Sequence, residues 1–377
     1  MLLELNYGGQ MNLQRFEKLI RLMNAANIDA IALNPGYSLR YLTNLDFHLM
    51  ERPTVMVIRN DGKLVIILPK LESTRAEKVF SKDQIFTFSD NPSTWNDVFI
   101  SALSFLNLSK NTIGVESTRL RVLEYQFLKN ALPESKVIAA DDVFANFRMI
   151  KDESEVNKMK RAAVIAQTAL LETIKESVVG KTEKELASLL TINLIKQGSG
   201  ELPFPPIIAS GANSADPHAT PTDRIINSGE LLLFDWGASY EGYASDITRT
   251  FAVDEVDPAF QQIAEIVHKA NQAGIHSGKP GVTAGSVDQS TREIINKFGY
   301  GEYFIHRTGH GLGLEAHESP YIFAENTQIL EPGMVFTIEP GIYLSGKGGV
   351  RIEDNVVITE DGAISLTDLP RELIKIR

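Results

Sequence analysis

The stretches that decide the fold are Gly229-Glu-Leu-Leu-Leu-Phe-Asp235-Trp-Gly237 and Gly333-Met-Val-Phe-Thr-Ile-Glu339-Pro-Gly341. Both follow one pattern: a glycine, five residues, a carboxylate, any residue and a second glycine. In each stretch a short apolar run leads into the carboxylate, which is typical of a buried strand that ends in an acid. A further carboxylate follows each stretch, Asp246 and Glu353. The repeat predicts a domain of two similar halves related by a pseudo-two-fold axis. A chance match of two glycine-flanked strands is the alternative.

Each carboxylate pair is predicted to face across a β-hairpin. A turn centred on residues 240–241 sets Asp235 opposite Asp246, and a turn centred on Gly346 sets Glu339 opposite Glu353. Side chains in directly opposite positions have Cβ atoms ~4.5–5.5 Å apart, and like charges there are destabilising. A single Asp or Glu is usually a solvated surface charge, but the apolar runs before these acids favour burial. Four buried carboxylates need protons or cations, and hard divalent metal ions suit them.

Histidines provide a second indication of a site. The segment 306–317 contains His306, His310 and His317, three of the seven histidines in the chain. A lone histidine is usually structural or solvated, but glycines interrupt this segment, disfavour a helix and permit close backbone approach. His218 follows an Asp-Pro pair that also marks an ordinary turn. Arg351 shares the face of Glu353 by strand alternation, so it forms a structural ion pair, orients a carboxylate ligand or binds substrate.

The order of elements predicts two domains, an α/β domain at 1–147 and an α+β domain at 148–377. In the first, a helix is predicted at 13–23, a hairpin turns at Asn60-Asp-Gly62, and short strands alternate with helices. In the second, a helix is predicted from about residue 152 to 179, ended by Gly180, and a capping box at Thr182-Glu-Lys-Glu185 begins the next helix. The remaining predicted segments are strands at 30–33, 54–58, 64–68, 113–115 and 137–138, and helices at 258–273 and 284–298.

Composition narrows the class of protein. The chain has no cysteine, which excludes disulfides and thiolate sites and leaves histidine and carboxylates as metal ligands. The formal net charge of −11 argues against nucleic-acid binding, which needs a basic face. No run approaches the ~20 apolar residues of a membrane span. The start of the chain, residues 1–5, is mostly apolar but lacks the basic region and following longer apolar region of a signal peptide, and residues 1–10 are interpreted as an extension.

Three motifs now identify a family resemblance. Asp246-Ile-Thr-Arg-Thr250, His306-Arg-Thr-Gly-His-Gly311 and Glu339-Pro-Gly-Ile-Tyr343 are similar to the signature sequences of the pita-bread metallopeptidases, peptidase family M24. That family includes prolidase, aminopeptidase P and methionine aminopeptidase. The resemblance covers residues 148–377, and the first domain is similar in arrangement to the N-terminal domain of prolidase and aminopeptidase P. It implies metal ligation by Asp235, Asp246, His310, Glu339 and Glu353, with His218, His306, His317 and Arg351 as further active-site residues.

The resemblance also implies a reaction. Asp235 would hold one ion, His310 and Glu339 the other, and Asp246 and Glu353 both. Two divalent ions ~3.5–4 Å apart share a hydroxide of lowered pKa, which would attack the carbonyl group before proline. Glu339 would accept its proton, and the auxiliary histidines would position substrate, stabilise the oxyanion or protonate the leaving nitrogen.

The ions would be Mn²⁺, with Co²⁺ or Zn²⁺ as alternatives. The substrates would be small peptides with proline at the second position, and the enzyme is expected to be a cytoplasmic homodimer.

Several alternatives remain. Some prolidases use an arginine shortly after the motif that matches His317-Glu-Ser-Pro320, and Tyr321 occupies that place here. An Xaa-Pro dipeptidase is favoured, and an Xaa-Pro aminopeptidase that acts on longer peptides is the alternative. The departure at Tyr321 predicts that dipeptides are favoured without being the only substrates. A creatinase-like hydrolase and a non-catalytic peptide-binding relative are remoter, because such proteins typically lack the five ligands.

Overall fold

The structure is a computed structural model, and it describes residues 11–377. The predictions for the first ten residues lie outside the described part. The chain divides into two compact units, Met1–Arg148 and Met149–Arg377.

The first unit is an α/β domain built on one mixed sheet. Its strands lie in the order β4-β3-β2-β1-β5-β6, in which β1, β2 and β3 are antiparallel neighbours and the outer pairs are parallel. The predicted hairpin between β2 and β3 is confirmed, with Gly62 at φ 92° in its turn. The strands are β1 Ala30–Leu33, β2 Val55–Arg59, β3 Leu64–Pro69, β4 Ile85–Phe88, β5 Thr112–Val115 and β6 Lys136–Ala139. The helices are α1 Leu13–Ala25, α2 Tyr37–Thr43, α3 Ser73–Ala76, α4 Trp95–Phe105, α5 Val122–Ala131 and α6 Asp141–Arg148.

The second unit is an α+β domain with two pairs of helices. The helices are α7 Glu153–Thr173, α8 Glu183–Lys196, α9 Pro258–Ser277 and α10 Ala284–Lys297. The strands of its first half are β7 Ile207–Ser210, β8 Leu231–Trp236, β9 Ser239–Tyr240, β10 Tyr243–Ala244 and β11 Ile247–Val253. The later strands are β12 Gly309–Gly311, β13 Glu318–Ile322, β14 Val335–Ile338, β15 Gly341–Leu344, β16 Gly348–Arg351, β17 Asp354–Thr359, β18 Gly362–Ser365 and β19 Lys375–Ile376.

Each half of the second unit places a sheet against a helix pair; the first sheet is antiparallel except for the parallel pair β11 and β19, and the second is antiparallel throughout. The first sheet has the order β19-β11-β8-β7, and its apolar face packs on α7 and α8 through residues such as Leu170, Leu190, Phe234 and Trp236. The second sheet has the order β13-β12-β14-β17-β18, and β14 and β18 contact α9. The first stretch of the sequence repeat forms β8 and the second forms β14. The repeated stretches are therefore corresponding strands in the two halves.

The predicted helix over 152–179 ends earlier than expected. A capping box at Asp152 and Glu155 begins α7 as helix chemistry requires, but the helix stops at Thr173. Beyond it, Val178 N donates to the Arg377 carbonyl oxygen at 3.0 Å, and Gly180 N donates to the Ile226 carbonyl oxygen at 3.0 Å. These tertiary hydrogen bonds replace the helical ones, which sequence periodicity does not reveal.

None of the helices within residues 11–377 is long and apolar enough to cross a membrane.

Candidate metal centre

The first hairpin has a different register from the predicted one. Strands β8 and β11 pair Asp235 with Thr248, so the prediction that Asp235 lies directly opposite Asp246 is wrong by two residues. The turn lies at Glu241-Gly242, where φ is positive at both residues, 48° and 87°, as a two-residue hairpin turn requires. Because strand side chains alternate with period two, a shift of two keeps Asp246 on the face of Asp235.

The second hairpin has the predicted register. Strands β15 and β16 pair Gly341 with Arg351, which places Glu339, two residues earlier, opposite Glu353, two residues later. The prediction is confirmed. An isolated bridge then joins Thr248 of the first hairpin to Glu353 of the second. The carboxylates of both halves therefore meet at one point.

His310 reaches the same point from β12, which lies between β13 and β14. Its backbone N donates to Thr337 Oγ1 at 3.1 Å. A Cβ on Gly309 would lie 1.9 Å from the Thr337 carbonyl oxygen, and a Cβ on Gly311 would lie 2.3 Å from the Ser319 carbonyl oxygen. The close backbone approach that the glycines predict is confirmed, and it sets His310 between two strands.

The structure brings the five predicted ligands together. His310 Nε2 lies 3.4 Å from Glu339 Oε1 and 3.7 Å from Asp246 Oδ2. Ligand atoms form overlapping groups of three, and within each group all atoms lie within 4.8 Å of one another. The groups are Asp235, Asp246 and Glu353; His310, Glu339 and Glu353; and Asp246, His310 and His317.

Burial and mutual repulsion disfavour this cluster as a set of bare carboxylates. Burial raises the pKa of Asp246 well above its ordinary value, and the charges of Glu353 and Asp235 raise it further. Burial also raises the pKa of Glu353 well above its ordinary value and that of Glu339 to about 7. Asp235 Oδ1 is buried and has no hydrogen-bond partner within residues 11–377. A divalent cation would supply both the missing charge and the missing partner, so these residues fit a metal centre.

The hydrogen bonding of His310 leaves one nitrogen for a cation. Its Nδ1 lies 3.1 Å from the carbonyl oxygen of Gly311. A carbonyl oxygen only accepts, so Nδ1 carries the proton and Nε2 keeps its lone pair. Burial, followed by the neighbouring His317, lowers the pKa of His310 well below its ordinary value. The ring is therefore neutral, the form in which imidazole ligates a metal.

Arg351 holds two of the carboxylates in place, Asp235 directly and Glu353 through Thr248. Its side chain is 3% exposed, and Nη2 lies 2.5 Å from Asp235 Oδ2. Its Nε donates to Thr248 Oγ1 at 3.0 Å, and that hydroxyl donates to Glu353 Oε2 at 2.6 Å. Among the roles that the sequence leaves open for Arg351, these contacts favour orienting the carboxylates over binding substrate.

Tyr343 is a residue of the site that the sequence alone does not single out. Its Oη accepts from Arg351 Nη1 at 3.1 Å and lies 2.8 Å from His306 Nε2. His306 Nδ1 donates to the Arg307 carbonyl oxygen at 2.7 Å, and burial lowers the pKa of the ring to about 4. Nε2 is thus unprotonated and accepts from the Tyr343 hydroxyl. Strand alternation, which puts Tyr343 on the face of Glu339, is the signal in the sequence.

His218 and His317 approach the cluster from two loops. Arg351 Nη1 donates to the carbonyl oxygen of Pro217, next to His218, at 3.1 Å. The His317 ring packs on His310 with ring centroids 3.7 Å apart. Both residues are exposed, and neither ring is hydrogen-bonded to another residue of the described range 11–377. His218 and His317, rather than His306, have ring nitrogens open to a substrate.

Comparisons with known proteins agree with this geometry. Residues 157–360 match the model of "Metallopeptidase family M24", and residues 15–150 match the "Creatinase/Prolidase N-terminal domain". The chain is 36% identical over 366 residues to the Xaa-Pro dipeptidase of Pyrococcus furiosus, covering 96% of this chain and 99% of that protein.

Two solved structures are similar over nearly the whole chain. The dipeptidase from Pyrococcus horikoshii OT3 superposes with a TM-score of 0.91 at 37% identity, covering 96% of this chain and 100% of that one. The recombinant prolidase from Thermococcus sibiricus has a TM-score of 0.92 at 35% identity, covering 98% and 100%.

The predicted fold is confirmed by these matches. The α/β first unit and the two-halved α+β second unit are those of the prolidases, whose catalytic domain has the pita-bread fold. Enzymes of this family use divalent metal ions, which agrees with the donor set around Asp235 Oδ1. The chain therefore belongs to metallopeptidase family M24.

Proposed function

We propose that the protein is an Xaa-Pro dipeptidase, and that the unit from residue 148 to 377 carries the catalysis. The observation that supports the proposal best is the convergence of the five candidate ligand side chains, among them Asp235, whose buried Oδ1 has no hydrogen-bond partner within residues 11–377. The 36% identity to a protein named Xaa-Pro dipeptidase, over nearly all of both chains, supports the substrate class. The two ions would be held by Asp235, Asp246, His310, Glu339 and Glu353.

Bound divalent ions supply Lewis acidity and bring the pKa of water near neutrality. With the ions bound, Glu339 would accept the proton of the attacking water. Thr337 Oγ1 donates to Glu339 Oε1 at 3.2 Å, which fixes the carboxylate and leaves Oε2 to accept the proton. The fixed geometry matters because a misplaced base transfers protons slowly.

The exposed histidines complete the chemistry. Hydrolysis before proline turns the carbonyl oxygen into an oxyanion and releases a secondary amine that needs a proton. His218 and His317, with ring nitrogens free of hydrogen bonds within residues 11–377, would donate a hydrogen bond to the oxyanion and relay to the leaving nitrogen the proton that Glu339 accepts. His306 acts through Tyr343, because its Nε2 is already engaged by the Tyr343 hydroxyl.

The native metal ion, the oligomeric state and the cellular location are also proposals. One imidazole and four carboxylates form a hard ligand set, which supports Mn²⁺ as the native ion over Co²⁺ or Zn²⁺. The family resemblance supports a homodimer, which light scattering tests, and a cytoplasmic location, which cell fractionation tests.

The testing experiment is metal removal. Exhaustive chelation should abolish hydrolysis of an Xaa-Pro dipeptide, and Mn²⁺ or Co²⁺ should restore it. Undiminished turnover in protein verified to be metal-free would sink the proposal. Rates on Xaa-Pro-Yaa tripeptides that exceed those on dipeptides would assign the enzyme as an Xaa-Pro aminopeptidase instead.

A further inference from the structure

Arg307 is held beside the metal centre by an aromatic ring. Tyr321 pairs with His310 across β12 and β13, and directly opposite residues of a sheet share one face. The Tyr321 ring therefore lies on the same face as the His310 imidazole. The Arg307 guanidinium carbon lies 4.3 Å from the centroid of the Tyr321 ring. Such a cation–π contact restricts the guanidinium without using its hydrogen-bond donors.

The guanidinium of Arg307 is not paired with an acidic side chain in the described part of the chain. Within residues 11–377, no carboxylate forms an ion pair with it, although the side chain is half-buried. Two arginines near Arg307 differ: Arg351 pairs with Asp235 at 2.5 Å, and Arg292, which donates to the His306 carbonyl oxygen at 2.8 Å, pairs with Asp288 at 3.0 Å. A half-buried cation without an anionic partner is suited to an anionic ligand.

The positive charge of Arg307 influences the pKa values of residues in the cluster. Burial lowers the pKa of His317, and the positive charge of Arg307 is the next largest cause. The same charge is a smaller influence at His310 and Glu339, after burial and nearer groups. Arg307 therefore faces the metal centre from the side of His317.

The proposed substrate carries one anionic group for this cation to bind. In an Xaa-Pro dipeptide, the free carboxylate belongs to the proline whose nitrogen leaves, so it lies on the leaving-group side of the scissile bond. We propose that Arg307, seated on the Tyr321 ring, binds this C-terminal carboxylate and makes the enzyme selective for dipeptides. The inference rests on the proposed function and adds its length specificity.

Tyr321 then has a different effect on length specificity from the one that the sequence predicts. From the sequence, the loss of an arginine at this position predicts relaxed length specificity. In the structure, the tyrosine is the platform for a guanidinium that comes from the neighbouring strand segment instead. The preference for a free carboxylate is therefore retained.

The test compares two substrates on the metal-loaded enzyme: Ala-Pro and its C-terminal amide. The parent should favour the free carboxylate in kcat/KM by roughly ten- to hundred-fold, the discrimination of a charge-assisted hydrogen bond. In Arg307→Met the ratio should fall towards one, mainly through a higher KM for Ala-Pro. Arg307→Lys should keep part of the preference, because the charge remains and the planar fork is lost.

The control is Arg161→Met, which removes the same charge from an exposed position on α7 and should leave the ratio unchanged. Circular dichroism and metal content establish that each variant is folded and loaded. If Arg307→Met does not fold, Tyr321→Ala and Arg307→Lys decide, and both should lower the ratio.

The outcomes separate the two proposals. An unchanged ratio in folded Arg307→Met, or in both substitute variants, would overturn the assignment of Arg307 while leaving the Xaa-Pro activity standing. A parent enzyme that cleaves neither substrate would overturn the proposed function itself.

Discussion

Glu339 combines two proposed tasks, as a metal ligand and as the proton acceptor. Glu339→Gln keeps the size of the side chain and its hydrogen bond from Thr337, but removes a negative ligand and a base. We expect an intact fold and a kcat at least ~10²–10⁴-fold lower, the usual contribution of a general base. Steady-state kinetics with metal content measured on the same sample provides the check.

Glu331→Gln is the matched control for that variant, since Glu331 is exposed in the loop before β14. It should leave kcat unchanged. A Glu339→Gln enzyme that turns over at nearly the parental rate with both ions bound would rule out the assigned role.

The clustering of the candidate ligand residues could be predicted from the sequence, because repeated strands and closely spaced histidines form a pattern along the chain. Tyr343 and Arg307 could not be predicted in the same way. Tyr343 matters through its contacts with His306 and Arg351, and Arg307 matters through a ring on another strand. Such roles depend on distances between side chains that are set only by the packed structure.

Glu183 acts at the scale of an element, because it holds the loop that carries His218. Its carboxylate is fully buried at the first position of α8 and accepts hydrogen bonds from the whole loop. The donors are Ser210 N at 2.7 Å, Ser210 Oγ at 2.9 Å, Asn213 Nδ2 at 3.1 Å, Thr222 N at 3.0 Å and Thr222 Oγ1 at 2.6 Å. Glu183→Gln replaces one acceptor oxygen by a donor.

We expect Glu183→Gln to lower the free energy of unfolding by roughly 1.5–3 kcal/mol, the scale of a hydrogen bond to a charged group. Because the His218 loop loosens, KM should rise as well. Urea denaturation and steady-state kinetics measure the two effects. Glu265→Gln, at an exposed position on α9, is the control. Equal stability of both variants would show that the loop is held by other contacts.

Elements differ in how far their sequence determines them. The second hairpin was predictable to the residue, because Gly346 marks its turn. The register of the first hairpin differs from the predicted one by two residues. The cause is the positive φ of Glu241, which its residue type does not predict. The end of α7 is not predictable for a different reason: Val178 and Gly180 donate hydrogen bonds to Arg377 and Ile226, which are distant in sequence, and local periodicity does not record such contacts.

For the whole molecule, the buried carboxylates link stability to pH and metal. Folding raises the pKa of Glu339 from 4.5 to about 7, mainly through burial, and those of Asp246 and Glu353 move in the same direction. The folded metal-free protein then binds more protons than the unfolded chain between these values. The contribution of these carboxylates to the free energy of unfolding is therefore fully present below pH ~4.5, and it is lost as the pH rises to about 7.

Metal reverses that trend, because ions bind the deprotonated carboxylates and stabilise the folded state by mass action. We expect the thermal midpoint of metal-free protein to fall between pH 5 and pH 7.5, and Mn²⁺ to raise it most at the higher pH. Calorimetry across this range measures both. Glu353→Gln should flatten the metal-free slope. A metal-free midpoint that climbs with pH would contradict the linkage.

The bridge between Thr248 and Glu353 has a consequence for how the chain acquires its site. Asp235 and Asp246 come from one half of the domain, and His310, Glu339 and Glu353 come from the other. The hydrogen bond that joins the halves spans 105 residues of sequence, and closing a loop of that length costs entropy that no local contact offsets. Each hairpin can form early, whereas the cation site exists only once the halves have docked. The rate of Mn²⁺ uptake during refolding should therefore report the docking of the two halves, which is the last large step in the folding of this unit.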